Sequence, residues 1–183
     1  MFRKSTLSRV LILAIALSLT LAVTSFAVQQ PSGELAVIGT VKVNGGVVDN
    51  GFTLTSGSNT TTAKGSSAVV SLGKLGRVEL LPSSGANISF DAGNIKVALE
   101  SGRVRLSSGS GTAARISTKD GEAVADATQD NSFTVDTTCG DTLVTVQTGR
   151  VELRAGGTVK QIAAGGQDTA GVKKPGLCRG QRP

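Results

Sequence analysis

From Leu35 onward the chain is a series of short runs in which aliphatic and polar residues alternate. Alternation with a period of two places the aliphatic side chains on one face of a β-strand and the polar ones on the other. The glycine before each of the clearest runs supplies the turn conformation through which the chain enters the strand. The clearest runs are three copies of one five-residue motif, which we call the repeat: Gly76-Arg77-Val78-Glu79-Leu80, Gly102-Arg103-Val104-Arg105-Leu106 and Gly149-Arg150-Val151-Glu152-Leu153.

The other runs have the same character, and turn residues separate them. Asn44-Gly45 is a strong signal for a tight hairpin. No run of helical period follows Ala27. The pattern predicts an all-β fold of many short strands, either a twisted β-solenoid-like arrangement or a sandwich, after an N-terminal signal-peptide helix. The spacing of the three copies, with a degenerate copy at residues 121–125, favours stacked rungs over three sandwich hairpins that share a turn.

Residues 1–27 have the pattern of a secretory signal peptide. Arg3, Lys4 and Arg9 precede an uncharged, leucine-rich stretch, and small residues lead up to a cleavage position between Ala27 and Val28. We therefore expect an exported protein, periplasmic or secreted, which meets the membrane only transiently through its signal peptide. The alternative is an uncleaved segment that anchors the protein in the inner membrane.

The composition limits how the core is built. Glycine accounts for 24 of the 183 residues, and the chain has no Trp and no Tyr. The core must therefore consist of Val, Leu, Ile and Ala, with three phenylalanines downstream of the leader as its large members: Phe52, Phe90 and Phe133.

The formal charge of +6 comes from the two ends of the chain. Three basic residues lie in the leader and four in the last eleven residues, so residues 28–172 hold 12 basic against 13 acidic side chains. Such a domain has neither the basic face nor the aromatic platforms of a nucleic-acid-binding protein. We expect no nucleic-acid partner.

The two cysteines, Cys139 and Cys178, are an even number in an exported chain, where disulfides form. We expect them to pair and to hold the basic C-terminal tail against the β domain. The alternative is two unrelated thiols.

The order of the runs resembles the FecR-like domain of bacterial envelope proteins. Residues 70–84 match its pattern of an alternating run, a glycine, a second run and Pro-x-Ser. Residues 97–106, Phe133-Thr134-Val135 and residues 144–153 follow in the family's order. The resemblance covers residues 36–170 and implies a twisted, β-solenoid-like domain. In the best-known members that domain receives a signal from an outer-membrane transporter and passes it to a sigma factor.

Candidate catalytic groups are few. The chain contains no histidine, the commonest general base and metal ligand. Glu79 and Glu152 occupy equivalent positions of the repeat, and a carboxylate pair for hydrolysis is one interpretation. A ladder of opposite charges on a solvated face is the preferred one. Four aspartates could line a calcium loop, although the EF-hand spacing is absent: Asp126, Asp130, Asp136 and Asp141. We expect no enzyme, no cofactor and no metal.

The sequence thus predicts a signal peptide (1–27), a lead-in (28–34), a FecR-like β domain (35–170) and a flexible basic tail (171–183). Its expected function is that of a non-enzymatic binding or signalling module of the envelope, which holds another envelope protein or a glycan through its β surface. The alternative is a structural or assembly component of the envelope without a discrete ligand. An exposed strand edge would favour the first class, and a self-complementary edge would favour the second.

Overall fold

A computed structural model describes residues 31–172. Within this range the chain forms 17 β-strands and one short 3-10 turn, Gly73–Leu75. The prediction of an all-β fold is therefore confirmed. The expected signal-peptide helix, its cleavage position at Ala27 and Val28, and Cys178 lie outside the described residues.

The strands form two sheets. The first sheet has eight strands in the spatial order β17 (Gln167–Ala170), β14 (Thr142–Thr148), β13 (Asn131–Asp136), β10 (Arg103–Ser108), β7 (Gly76–Leu80), β6 (Ser67–Ser71), β1 (Ser32–Ile38) and β4 (Phe52–Thr55). The second sheet has nine strands in the order β16 (Thr158–Ala163), β15 (Arg150–Ala155), β12 (Glu122–Ala125), β11 (Ala113–Ser117), β9 (Asn94–Ser101), β8 (Gly85–Phe90), β5 (Ser58–Thr62), β2 (Val41–Val43) and β3 (Gly46–Val48).

The chain passes back and forth between the two sheets while it advances along both of them. In the described part of the chain, β9 and β11 form a parallel pair and all other neighbours pair antiparallel. Two copies of the repeat are neighbours in the first sheet, β7 and β10, whereas the third copy, β15, belongs to the second. The copies therefore do not stack as rungs, and the solenoid-like description is not confirmed. The two sheets fit the sandwich alternative.

The inward faces of the two sheets share one hydrophobic core. The largest fully buried side chains come from both sheets, and they include Phe133 and Leu80 from the first and Ile88 and Leu153 from the second. Phe90 is also buried. Phe52 departs from the prediction, because it lies on the edge strand β4 and 40% of it stays exposed.

Each copy of the repeat forms a strand that a glycine introduces. The six aliphatic side chains of the copies are buried: Val78, Leu80, Val104, Leu106, Val151 and Leu153. Gly76, Gly102 and Gly149 have φ values of 134°, 84° and 83°, which L-residues rarely adopt. A Cβ atom at Gly102 would also lie 2.6 Å from the Ser83 carbonyl oxygen. These glycines thus permit a close approach of two backbones as well as an unusual turn.

The predicted hairpin at Asn44-Gly45 is also present. It joins β2 to β3, which pair antiparallel. Both turn residues have positive φ, 50° and 85°, as the two central residues of a type I′ turn require.

Candidate binding face

The outer face of the eight-stranded sheet, defined as its side chains that point away from the core, presents polar residues from five neighbouring strands. Its central strands are two copies of the repeat, β7 and β10. Because Val78 and Leu80 point into the core, Arg77 and Glu79 point outward. The same alternation places Arg103 and Arg105 on the outer face.

Two ion pairs cross between strands on this face. Arg105 lies directly opposite Glu79 in the sheet, and its Nη1 atom is 3.1 Å from Glu79 Oε2. Arg103 lies opposite Asp136, and its Nη2 atom is 2.8 Å from Asp136 Oδ2. Such pairs between exposed strands stabilise a sheet by about 0.2–1 kcal/mol each. For Glu79 the geometry agrees with the predicted charge ladder.

Asp136 accepts hydrogen bonds from the amide and hydroxyl of Thr138 and from Nε of Arg103. Burial acts to raise the pKa of Asp136, but hydrogen bonds from the hydroxyl and amide of Thr138, together with the positive charge of Arg103, outweigh it. The net effect is a pKa below the ordinary value for an aspartate. Asp136 therefore stays ionised and fixes the orientation of Arg103.

A second row of side chains crosses the same face nearer the turn Gly73–Leu75. It places one arginine among four hydroxyl groups on five consecutive strands, in the order Ser71 (β6), Arg77 (β7), Ser107 (β10), Ser132 (β13) and Thr148 (β14). We call these five residues the hydroxyl row. At about 4.8 Å between strands, the row is about 19 Å long.

The hydroxyl row opens into a recess of about 500 Å³. Lys74 and Arg77 line the recess, and in residues 31–172 neither forms an ion pair. Asp130 is the carboxylate of the lining, and its Oδ1 accepts a hydrogen bond of 2.7 Å from the Ser110 amide. The recess thus carries two cationic groups against one anionic group.

Ser108 follows Ser107 on β10 and is 4% exposed, and the alternation that buries Val104 and Leu106 points its side chain toward the core, on the opposite side of the sheet from the recess. Its hydroxyl is buried without a hydrogen-bond partner among the described residues. Burying a hydroxyl without a partner costs free energy.

The nine-stranded sheet has an outer face of a different character. Arg115 pairs with Glu122 at 3.4 Å, and Arg154 pairs with Glu152 at 2.7 Å. Glu152 and Glu79 therefore point outward from opposite sheets, and the structure does not bring them together as a catalytic carboxylate pair.

The four aspartates considered for a calcium loop are also dispersed. The side chain of Asp126 accepts hydrogen bonds from Thr128 and Gln129, while Asp136 is bound to Arg103. The hydrogen bonds from Thr128, first its hydroxyl and then its amide, lower the pKa of Asp126. Within residues 31–172, no group of three or more acidic, histidine or cysteine side chains is placed to hold a metal ion.

Strand edges are the other candidate surface. On β16, Lys160 lies opposite the buried Leu153, and on β17, Asp168 lies opposite the buried Val144. Both side chains thus point toward the interior, and their Nζ and Oδ1 atoms are 2.8 Å apart. This ion pair joins the two sheets where each of them ends. Inward-pointing charges at an edge are a device against edge-to-edge association.

Cys139 is fully buried in the loop between β13 and β14. Because Cys178 lies beyond the described residues, their pairing stays a prediction.

The hydroxyl row was not predicted from the sequence. Four of its members occupy outward positions of alternating runs, and this much can be read from the pattern: Ser71, Arg77, Ser107 and Ser132. Thr148 is in step with the buried Val144 and Val146, and a register shift between β13 and β14 places it opposite Ser132. The alignment of the five members depends on strand order and register, which bring residues as far apart in the chain as Ser71 and Thr148 into one row.

Comparison with known families identifies the domain. The FecR protein family matches residues 58–152, a stretch that runs from β5 into β15 and holds two copies of the repeat and all but the last residue of the third. The chain belongs to the FecR family. The predicted resemblance is therefore confirmed, and the polar face and the recess belong to a FecR domain.

Solved structures share this fold. Two crystal structures of a protein described as a "putative anti-sigma factor" from Parabacteroides distasonis, at 2.50 and 1.65 Å resolution, superpose with a TM-score of 0.53 at 18% identity. The match covers 65% of this chain and 56% of that protein. At this level of identity the likeness concerns the fold alone. No curated protein matches the chain. In residues 31–172 we find no helix with the length and apolar character needed to cross a bilayer.

Proposed function

We propose that the protein is an exported, non-enzymatic module of the bacterial envelope that binds a partner through the outer face of its eight-stranded sheet. The partner is another envelope protein or a glycan. The observation that carries the proposal is the recess lined by the hydroxyl row. Its cations, Lys74 and Arg77, have no ion-pair partner in the described part of the chain, while the arginines of β10 on the same face are paired.

The arrangement of this face supports recognition rather than catalysis. The two ion pairs hold Arg103 and Arg105 in fixed positions, and a fixed polar surface loses little conformational entropy when a partner binds. The carboxylates that a hydrolase would need, Glu79 and Glu152, belong to opposite faces of the sandwich.

Membership of the FecR family supports a signalling role. The solved structures that share the fold are described as those of a "putative anti-sigma factor", and this description favours a role in signalling. This chain spans 56% of the length of those relatives. We therefore propose that this module recognises the partner and that other proteins carry out the response to it.

The sequence of the N-terminal segment supports the location. Cleavage after Ala27 would release a mature protein that begins at Val28, in the periplasm or outside the cell. Retention of the segment would leave the same β domain attached to the inner membrane.

A structural role in the envelope is the second candidate function. In residues 31–172 no strand pairs with the outer edge of β16, where Val159 is 57% exposed. Such an edge can add a strand from another molecule. The ion pair between Lys160 and Asp168 works against the simplest form of this role, which is edge-to-edge assembly of identical copies.

Site-specific photo-crosslinking in cells of the source organism tests the binding proposal. A photoreactive residue replaces Thr134, on the outer face of the eight-stranded sheet, or Ser89, on the outer face of the other sheet. We expect a discrete adduct, protein or glycan, in the envelope fraction for position 134 and none for position 89. Equal labelling at both positions, or recovery of the protein from the cytoplasm with its leader intact, would overturn the proposal.

A further inference from the structure

The recess that the hydroxyl row lines has the chemistry of a site for an acidic carbohydrate. Its cations, Lys74 and Arg77, have no counter-ion within the described residues, and Asp130 is engaged by a backbone amide. An anionic group in the recess would form charge-assisted hydrogen bonds with the two cations, which are roughly twice as strong as neutral ones.

The hydroxyl row forms part of the lining of the recess. Its four serine and threonine hydroxyls can each donate and accept a hydrogen bond. The Ser107 and Ser132 hydroxyls share one hydrogen bond, with their oxygens 3.3 Å apart, and both keep capacity for a further bond to a ligand. This arrangement matches a long ligand that itself carries many hydroxyl groups. Protein–protein interfaces usually have an apolar core, and the row contains no aliphatic or aromatic side chain, so a glycan fits it better.

We infer that the recess and the hydroxyl row bind an extended glycan that bears carboxylate groups, with Arg77 and Lys74 as ligands of a carboxylate and the hydroxyl row along the sugar chain. This inference deepens the proposed function and rests on it. It names the partner as a glycan and assigns its contacts to one end of the outer face.

Binding of the mature protein to polygalacturonate, measured by calorimetry at low salt, tests the inference. Neutral dextran and inorganic phosphate serve as comparison ligands. We expect polygalacturonate to bind, dextran to bind at least tenfold more weakly, and phosphate to compete only at much higher concentration. Equal binding of dextran, or no binding of polygalacturonate, would overturn the inference. Phosphate binding as tight as that of the polymer would also contradict it, because the site would then be one for a free anion.

A pair of double variants separates a defined site from general charge attraction. Arg77→Gln with Lys74→Gln removes the two cations of the recess. Lys42→Gln with Lys96→Gln removes the same charge from exposed positions on the nine-stranded sheet. We expect the first pair to weaken polygalacturonate binding about tenfold or more and the second to leave it nearly unchanged. Equal losses for both pairs would contradict the inference.

Failure of these glycan tests alongside a discrete crosslink at position 134 would refute the inference and leave the proposed function standing.

Discussion

Substitution of Gly102 by alanine tests how the repeat builds the sheet. Gly102 introduces β10 with a φ of 84°. The new Cβ atom would lie 2.6 Å from the carbonyl oxygen of Ser83 and 2.6 Å from the Cα atom of Ser84. It would also collide with the Ser84 hydroxyl, which accepts a 2.8 Å hydrogen bond from the Arg103 amide. The substitution therefore strains the turn and crowds two backbones at once.

Gly111 offers a matched control for this substitution. Its φ is 85°, and no atom lies within 4 Å of the position that a Cβ would take. Gly111→Ala should cost only the left-handed conformation, about 1–2 kcal/mol. Gly102→Ala should cost the same amount plus about 1–3 kcal/mol for crowding. The difference between the two variants isolates the close approach of the two backbones.

Urea denaturation of the mature protein, followed by far-ultraviolet circular dichroism, measures both free energies of unfolding. We expect Gly102→Ala to lose about 2–5 kcal/mol in total and to unfold at a clearly lower urea concentration than Gly111→Ala. Equal losses in the two variants would refute the reasoning, because the repeat glycine would then be required for its dihedral angle alone.

Three further predictions follow from the charges and the cysteines. Lys160→Ile should make the edge of the sandwich apolar and produce dimers or larger species in sedimentation velocity, whereas Lys160→Arg should stay monomeric; a monomeric isoleucine variant would contradict the role of the ion pair. The pKa of Asp136 is lower in the folded protein than in the unfolded chain. The ionised carboxylate therefore stabilises the fold fully at pH values above the unfolded-state pKa, and this stabilisation is lost as the pH falls through the folded-state pKa. Asp136→Asn should therefore destabilise the protein by about 1–3 kcal/mol at pH 7 and by progressively less below about pH 4. Measuring the free energy of unfolding at a series of acidic pH values tests this, and a loss that does not change with pH would contradict it. A disulfide between Cys139 and Cys178 would contribute roughly 4 kcal/mol to stability. Reduction should therefore lower the melting temperature of the wild type but not that of Cys139→Ser. Labelling of both thiols in the absence of a reductant would exclude the bridge.

The strands and their buried faces could be predicted from the sequence because the signal is local. Alternation in Gly76-Arg77-Val78-Glu79-Leu80 determines which side chains face the core, and Asn44-Gly45 determines a turn. Both features depend on residues that are adjacent in the chain.

The pairing of strands could not be predicted in this way. Alternation assigns a side chain to a face but does not select the neighbouring strand or its register. Arg105 meets Glu79, and Ser71 shares a row with Thr148, only because the chain alternates between two sheets. The spacing of the repeats favours stacked rungs, which the structure does not have. Spacing along the chain contains no information about which sheet each copy joins. The exposure of Phe52 depends on its place on an edge strand, which also follows from the strand order.

A distance between two spin labels tests the central claim most directly, namely that five strands of one sheet align the hydroxyl row on a single face. Labels attached to cysteines that replace Ser71 and Thr148 lie at the two ends of the row, four strand intervals apart. Double electron–electron resonance on the mature protein should give a narrow distribution centred on about 19 Å. A distribution centred beyond about 30 Å, which is more than six strand intervals, would contradict the strand order and the binding face that depends on it.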